Sequence, residues 1–173
     1  MEQQDRFAGR TLPAPGFADD DGAAAPEVTA ALASYDAGTA DHLATLAVVA
    51  DSRLLVPVVA VLGEVEHDER GLAHDKSSDM ATVLMTGRDG RTALLAFTGD
   101  ESLRRWNPEA RPVPVRGDLA ARSALQDGAA ALVVDIAGPV RFVVAGDDLD
   151  ALARGWRLAR VGDGWAWIGA GAE

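Results

Sequence analysis

Apolar positions in this chain come in short runs whose spacing switches between helical and alternating, which predicts short helices mixed with strands. Pro26 suits the first turn of a helix, and Val28, Ala31, Leu32 and Tyr35 follow at i, i+3, i+4 and i+7, with Gly38 placed to stop it. Thr39 or Asp41 can cap a second helix, whose apolar face is Leu43, Leu46, Ala47 and Ala50. Residues 54–62 form a nearly unbroken valine-rich run, read as a strand in which Pro57 demands an edge position or a bulge. Residues 80–86 and 91–97 flank Gly87-Arg88-Asp89-Gly90, whose Asp-Gly pair signals a hairpin.

The pattern continues in the second half. Thr98 and Glu101 stand in capping-box spacing before Leu103 and Trp106, with Pro108 ending that helix. Residues 111–115 read as an extended edge, because Pro112 and Pro114 cannot donate to a ladder. Asp118 caps a helix to Gln126 with Ala121, Ala124 and Leu125 inward, and residues 132–136 and 140–144 make a second hairpin around Ala137-Gly138-Pro139. Asp147 caps a helix with Leu149, Leu152, Ala153 and Trp156 on its face, and residues 157–168 give two short strands joined at Gly162-Asp163-Gly164. The result is an α/β (α+β) single domain: a mixed, largely antiparallel sheet flanked by short helices and built on two hairpin-plus-helix units. The two units echo each other, since Gly99-Asp100 and Gly146-Asp147 each follow a proposed hairpin. Either they frame a pseudo-symmetric pocket, or Gly-Asp is simply good strand-to-helix grammar.

Length adds one boundary condition: 173 residues make one domain. Residues 1–25, with Pro13, Pro15 and Asp19-Asp20-Asp21-Gly22, read as a disordered segment, residues 26–168 as the domain, and residues 169–173 as a tail. The start lacks a signal-peptide pattern and no apolar window reaches the roughly 20 residues of a membrane span, so the expected location is the cytoplasm, with no membrane partner. A formal charge of −11 argues against nucleic-acid binding.

Candidate chemistry is sparse. With no cysteine there is no disulfide, thiol nucleophile or cysteine metal site. The acidic stretch 64–79 carries Glu64, Glu66, His67, Asp68, Glu69, His74 and Asp75; carboxylates and imidazoles can hold a divalent cation, but this spacing matches no metal motif and reads better as a solvated loop. His42 reads as an ordinary, partly exposed histidine. Neither a Gly-x-Ser-x-Gly elbow nor a P-loop is present. No catalytic, cofactor-binding or metal residue is therefore assigned, and the chain is expected not to be an enzyme. Trp106, Trp156, Trp165 and Trp167 lie among many arginines, a pairing that suits either protein contacts or core closure by tryptophan with arginines around it. Trp165 and Trp167 fall on one strand face and are assigned to the core. The candidate partner-binding set is Arg104, Arg105, Trp106, Arg111, Pro112 and Val113.

Ala93-Leu94-Leu95-Ala96-Phe97-Thr98, then Leu103 and Trp106, Ala110-Arg111-Pro112-Val113-Pro114-Val115 and Gly138-Pro139-Val140, carry a resemblance. Over residues 54–156 the chain is similar to the N-terminal domain of the SseB family, the bacterial serine-sensitivity-enhancing proteins, and most of all to its actinobacterial members. The resemblance implies a small α/β domain with no established catalytic residues or cofactor, so it assigns no functional positions. The expected role is a non-enzymatic accessory or protein-binding one, toward an unidentified protein partner or a second copy of the chain. The alternative is a small-ligand-binding regulatory domain with a pocket between the two hairpin-plus-helix units.

Overall fold

The computed structural model describes residues 17, 19–61 and 79–169. Two helices come first, α1 (Pro26–Asp36) and α2 (His42–Asp51). Pro26 opens α1 as expected, and the Asp41 side chain caps α2 by accepting the Ala44 N–H at 2.7 Å. The face α2 buries is Thr45, Leu46, Val49 and Ala50, rotated from the expected one so that Leu43 is only partly covered.

Strand β1 (Arg53–Val61) follows, then β2 (Asp79–Thr82), β3 (Leu84–Thr86) and β4 (Thr92–Ala96). The hairpin at Gly87-Arg88-Asp89-Gly90 is as expected, with β3 and β4 antiparallel. Helix α3 (Asp100–Trp106) leads to β5 (Arg111–Arg116), α4 (Gly117–Gln126), β6 (Ala131–Val134), β7 (Phe142–Ala145) and α5 (Gly146–Ala153). The chain closes on a separate antiparallel ribbon, β8 (Arg157–Val161) with β9 (Gly164–Ile168).

The strands form one sheet in the order β2-β1-β5 and another in the order β3-β4-β6-β7. An antiparallel bridge joins them, with Leu55 and Phe97 exchanging N–H···O bonds of 2.8 Å in both directions. Among the described residues the one parallel pairing is β4 with β6. Because strand side chains alternate, the two faces have different cores. Leu54, Val56, Leu94, Ala96, Leu132 and Val134 pack under α1, α2, α4 and α5. Leu55, Leu95, Phe97 and Val133 face the other way, against Leu103 of α3. Each fully buried Leu or Phe contributes about 1.5–3 kcal/mol, so both faces hold the sheet.

Several local expectations change. Pro57 sits in the centre strand, opposite Pro112 of the edge strand β5. Leu55 directs its N–H and C=O to Phe97, away from β5. Ladder alternation then puts Leu55↔Pro114 and Pro57↔Pro112 at non-hydrogen-bonded positions. The β1–β5 ladder therefore loses no bond to any of its three prolines. Thr98 does not cap α3: the N-cap is Gly99, and the Thr98 hydroxyl is spent elsewhere. Asp118 and Asp147 lie inside the first turns of α4 and α5 rather than at their caps, where their charge still favours the positive helix end. Leu125 is exposed, because Ala120, Ala121 and Ala124 make the buried stripe of α4.

The Gly-Asp echo has no symmetric counterpart. Gly99 is extended with φ −163°, whereas Gly146 is left-handed with φ 58°. The helices that follow pack on opposite faces of the sheet, Leu103 in one core and Leu149 and Leu152 in the other. The repeat is strand-to-helix grammar.

Candidate functional site

A cavity of about 600 Å³ opens where β4 and β6 end. The first hairpin-plus-helix unit supplies Thr98 and the start of α3, the second supplies Asp135, Pro139 and Val140, and Leu32 and Ala33 of α1 cover one side. Residues 21–24 form the remaining wall. The carboxyl ends of parallel strands are where open α/β sheets leave a crevice, because the chain must turn away there in different directions.

Asp135 anchors the floor. It is 1% exposed and, with φ 52°, is the one left-handed non-glycine among the described residues. Its backbone N–H donates to Ala96 O at 3.0 Å, extending the parallel ladder. Its carboxylate turns back to β4, where Oδ1 accepts the Thr98 N–H at 2.9 Å and Oδ2 accepts the Thr98 hydroxyl at 2.7 Å. Burial pushes the carboxyl above its ordinary pKa, opposed by the Ser102 hydroxyl, by the Thr98 bonds and by the Arg105 charge.

Arg53 builds the wall. From the start of β1 its guanidinium donates to Thr98 O at 2.8 Å, to Asp20 Oδ1 at 2.8 Å and to Ala23 O. Gly22 O then accepts the Asp100 N–H at 2.7 Å. Gly99 must be glycine for this approach, since a Cβ there would lie 2.6 Å from Ala24 N. Part of the segment expected to be disordered is thus tied to the sheet; residues 1–16 and 18 lie outside the described residues, as do residues 170–173 of the tail.

The six candidate partner-binding residues divide by element. Arg104, Arg105 and Trp106 end α3; Arg104 pairs with Asp100 at 3.4 Å and Arg105 with Glu101 at 2.8 Å. Trp106 is half-buried, its ring 5.5 Å from that of Phe97. Arg111, Pro112 and Val113 begin β5 and are exposed. Of the six only Arg105 lines the cavity. The other tryptophans lie in the C-terminal ribbon region: Trp167 donates to Asp148 Oδ1 at 2.9 Å and packs partly on the core, while Arg160 covers Trp165. His42 is partly exposed, stacked on Phe142 and 3.4 Å from Asp148 Oδ2. The cation reading of residues 64–78 falls outside the described residues. Among those described, no cluster of His, Asp or Glu is arranged to hold a metal, and no helix is long and apolar enough to cross a membrane.

Sequence reasoning missed Asp135, Thr98 and Arg53 as a group. The available signal was Asp135 itself, a carboxylate interrupting the apolar run Leu132-Val133-Val134-Asp135-Ile136.

Two sheets joined by the Leu55–Phe97 bridge, with helices on both faces and a crevice at the parallel strand ends, define a small α+β domain. Residues 28–151 match the SseB protein N-terminal domain, and the chain belongs to the SseB family. No curated protein and no solved structure matches it.

Proposed function

We propose that this chain is a non-enzymatic regulatory domain that binds a small molecule in the cavity between its two hairpin-plus-helix units. The cavity itself carries this reading: about 600 Å³ falls within the range of roughly 300–1,000 Å³ typical of ligand pockets. Its walls combine the apolar Leu32, Ala33 and Val140 with the polar Thr98, Ser102 and Asp135, the mixture that small-molecule sites use to bury and orient a ligand. The test is equilibration of the protein with a small-molecule cell extract, followed by mass spectrometry of what is retained. Ala33→Trp, an exposed α1 position that lines the cavity, serves as the blocked control. A compound retained by the wild type and lost in the variant supports the site; equal retention by both removes it.

A second reading has its own observation. Arg111, Pro112, Val113 and Pro114 present an exposed stretch on β5, continuous in sequence with Trp106 through the turn at Asn107. Contacts there, with a partner protein or a second copy, run through side chains. A pull-down from native lysate with Val113→Asp as control checks it: loss of a captured partner in the variant supports a docking role.

A further inference from the structure

We propose that the ligand of this cavity is a small organic cation, an amine or guanidine on a short apolar body; the proposal rests on the pocket reading above and gives it a chemical class. Among the described residues the cavity is lined by four carboxyl groups, Asp21, Asp100, Glu101 and Asp135, against one guanidinium, Arg105. Arg105 is already matched, its Nη2 lying 2.8 Å from Glu101 Oε1. Asp100 is poorly matched: among the described residues it pairs with Arg104, 3.4 Å away with a side chain 70% exposed. So long and exposed a pair is weak.

An anion is disfavoured at the same place for a definite reason. A phosphate or carboxylate seated at the β4–α3 junction needs free backbone donors. Two of these are taken, the Thr98 N–H by Asp135 Oδ1 and the Asp100 N–H by Gly22 O. The Asp100 carboxylate adds a negative charge where the anion would sit, while Glu101 and Arg105 offset each other. A cation meets the opposite situation, with the Asp100 carboxylate at the wall and Asp135 beneath it in a poorly hydrated floor. Leu32, Ala33 and Val140 accept the apolar body. A bound positive charge also favours the ionised form of Asp135, which burial disfavours.

The probes are charge series on one body: cyclohexylamine, cyclohexanol and cyclohexanecarboxylate, with butylamine, butanol and butyrate alongside. Binding is measured by ligand-observed NMR and calorimetry on the full chain, with Ala33→Trp as the blocked form. The amines are expected to bind at least tenfold more tightly than the matched alcohol or acid, and to lose about tenfold in Asp100→Asn, which leaves the Asp100 backbone bond intact. If alcohols or carboxylates bind equally well or better, and Ala33→Trp blocks them, the cationic class is overturned while the pocket stands. If no probe of any charge distinguishes the wild type from Ala33→Trp, the pocket reading itself is overturned.

Discussion

Asp135 and Thr98, 37 residues apart, are joined twice, the carboxylate accepting both the backbone N–H at 2.9 Å and the hydroxyl at 2.7 Å. The pair fixes where β4 and β6 end relative to each other, and so fixes the floor of the cavity. Asp135→Ala leaves the Thr98 N–H buried without a partner, and Thr98→Val leaves Asp135 Oδ2 buried without its hydroxyl donor, so each should cost about 1–3 kcal/mol. Urea unfolding at neutral pH checks both. A cost near zero for Asp135→Ala would mean that the Thr98 N–H finds another acceptor.

The same carboxyl sets a pH dependence. Its folded pKa is raised above the ordinary 3.8 by burial, so the folded state holds the proton longer than the unfolded state does. Stability from this group is fully present below about pH 3.8 and is lost as pH rises through the higher folded value. Asp135→Asn removes that loss. Its stability relative to wild type should therefore improve from pH 4 upward until the folded carboxyl is fully ionised, read by unfolding midpoints across pH at constant ionic strength. A flat difference would mean that the group ionises as freely in the fold as outside it.

Arg53 tests the wall. Its side chain is only 12% exposed and bonds to Thr98 O, Asp20 and Ala23 O. Arg53→Met keeps the stem and removes these charge-assisted bonds, an expected loss of about 2–3 kcal/mol. Freed of them, residues 20–23 should separate from α3, so the Asp100 amide, which donates to Gly22 O, should exchange much faster than the α1 amides. Asp20→Asn should do far less, because Asn Oδ1 still accepts from Arg53 and from the Gly22 N–H. Protection unchanged at Asp100 would show that the wall holds without Arg53.

How much of this was legible in the chain follows from which forces are local. Val28 and Leu32, Leu149 and Leu152, and the hairpin turn at Asp89-Gly90 declare themselves by spacing, and the elements they mark are present. Pro57 misled because a proline excludes only the ladder its N–H faces, and a sequence does not say which neighbour that is. Thr98 misled because its hydroxyl had two possible partners: its own helix, visible at capping-box spacing, and Asp135, visible only once β6 lies beside β4. A pocket between the two hairpin-plus-helix units is the sequence's alternative expectation, but which residues line the cavity was out of reach for the same reason. Its walls come from four separate stretches of chain, and only the sheet order brings them together.

Gly117 reports on close packing rather than on backbone freedom. A Cβ there would lie 2.6 Å from Ala50 O and 3.0 Å from Ala50 Cα, backbone atoms that cannot swing aside. Helix propensity alone predicts that Gly117→Ala in the first turn of α4 gains up to about 1 kcal/mol. Overpacking against the end of α2 costs about 1–3 kcal/mol, and it should win. Net destabilisation in urea is expected, with Gln126→Ala, at an exposed position of the same helix, close to neutral. A stabilised Gly117→Ala would mean that α2 and α4 have slack between them.

The prolines of β5 make a prediction about association. Residues 111, 113 and 115 face β1 with their backbone groups, which leaves those of Pro112 and Pro114 pointing outward. The β5 edge of the β2-β1-β5 sheet, unpaired among the described residues, thus lacks the donors that an added strand would need at both positions, although Val113 beside them is 38% exposed. Edge strands without such protection recruit other strands. Pro112→Thr/Pro114→Thr restores two outward N–H groups on a residue type that favours strands, while the β1–β5 ladder keeps every bond it has. The double variant should show a larger, concentration-dependent mass by sedimentation velocity than the wild type, with unfolding behaviour little changed at low concentration. An unaltered mass would place the protection of this edge in Arg111 and Arg116, whose charges flank it, and Arg111→Thr/Arg116→Thr in the same background would then bring the association out.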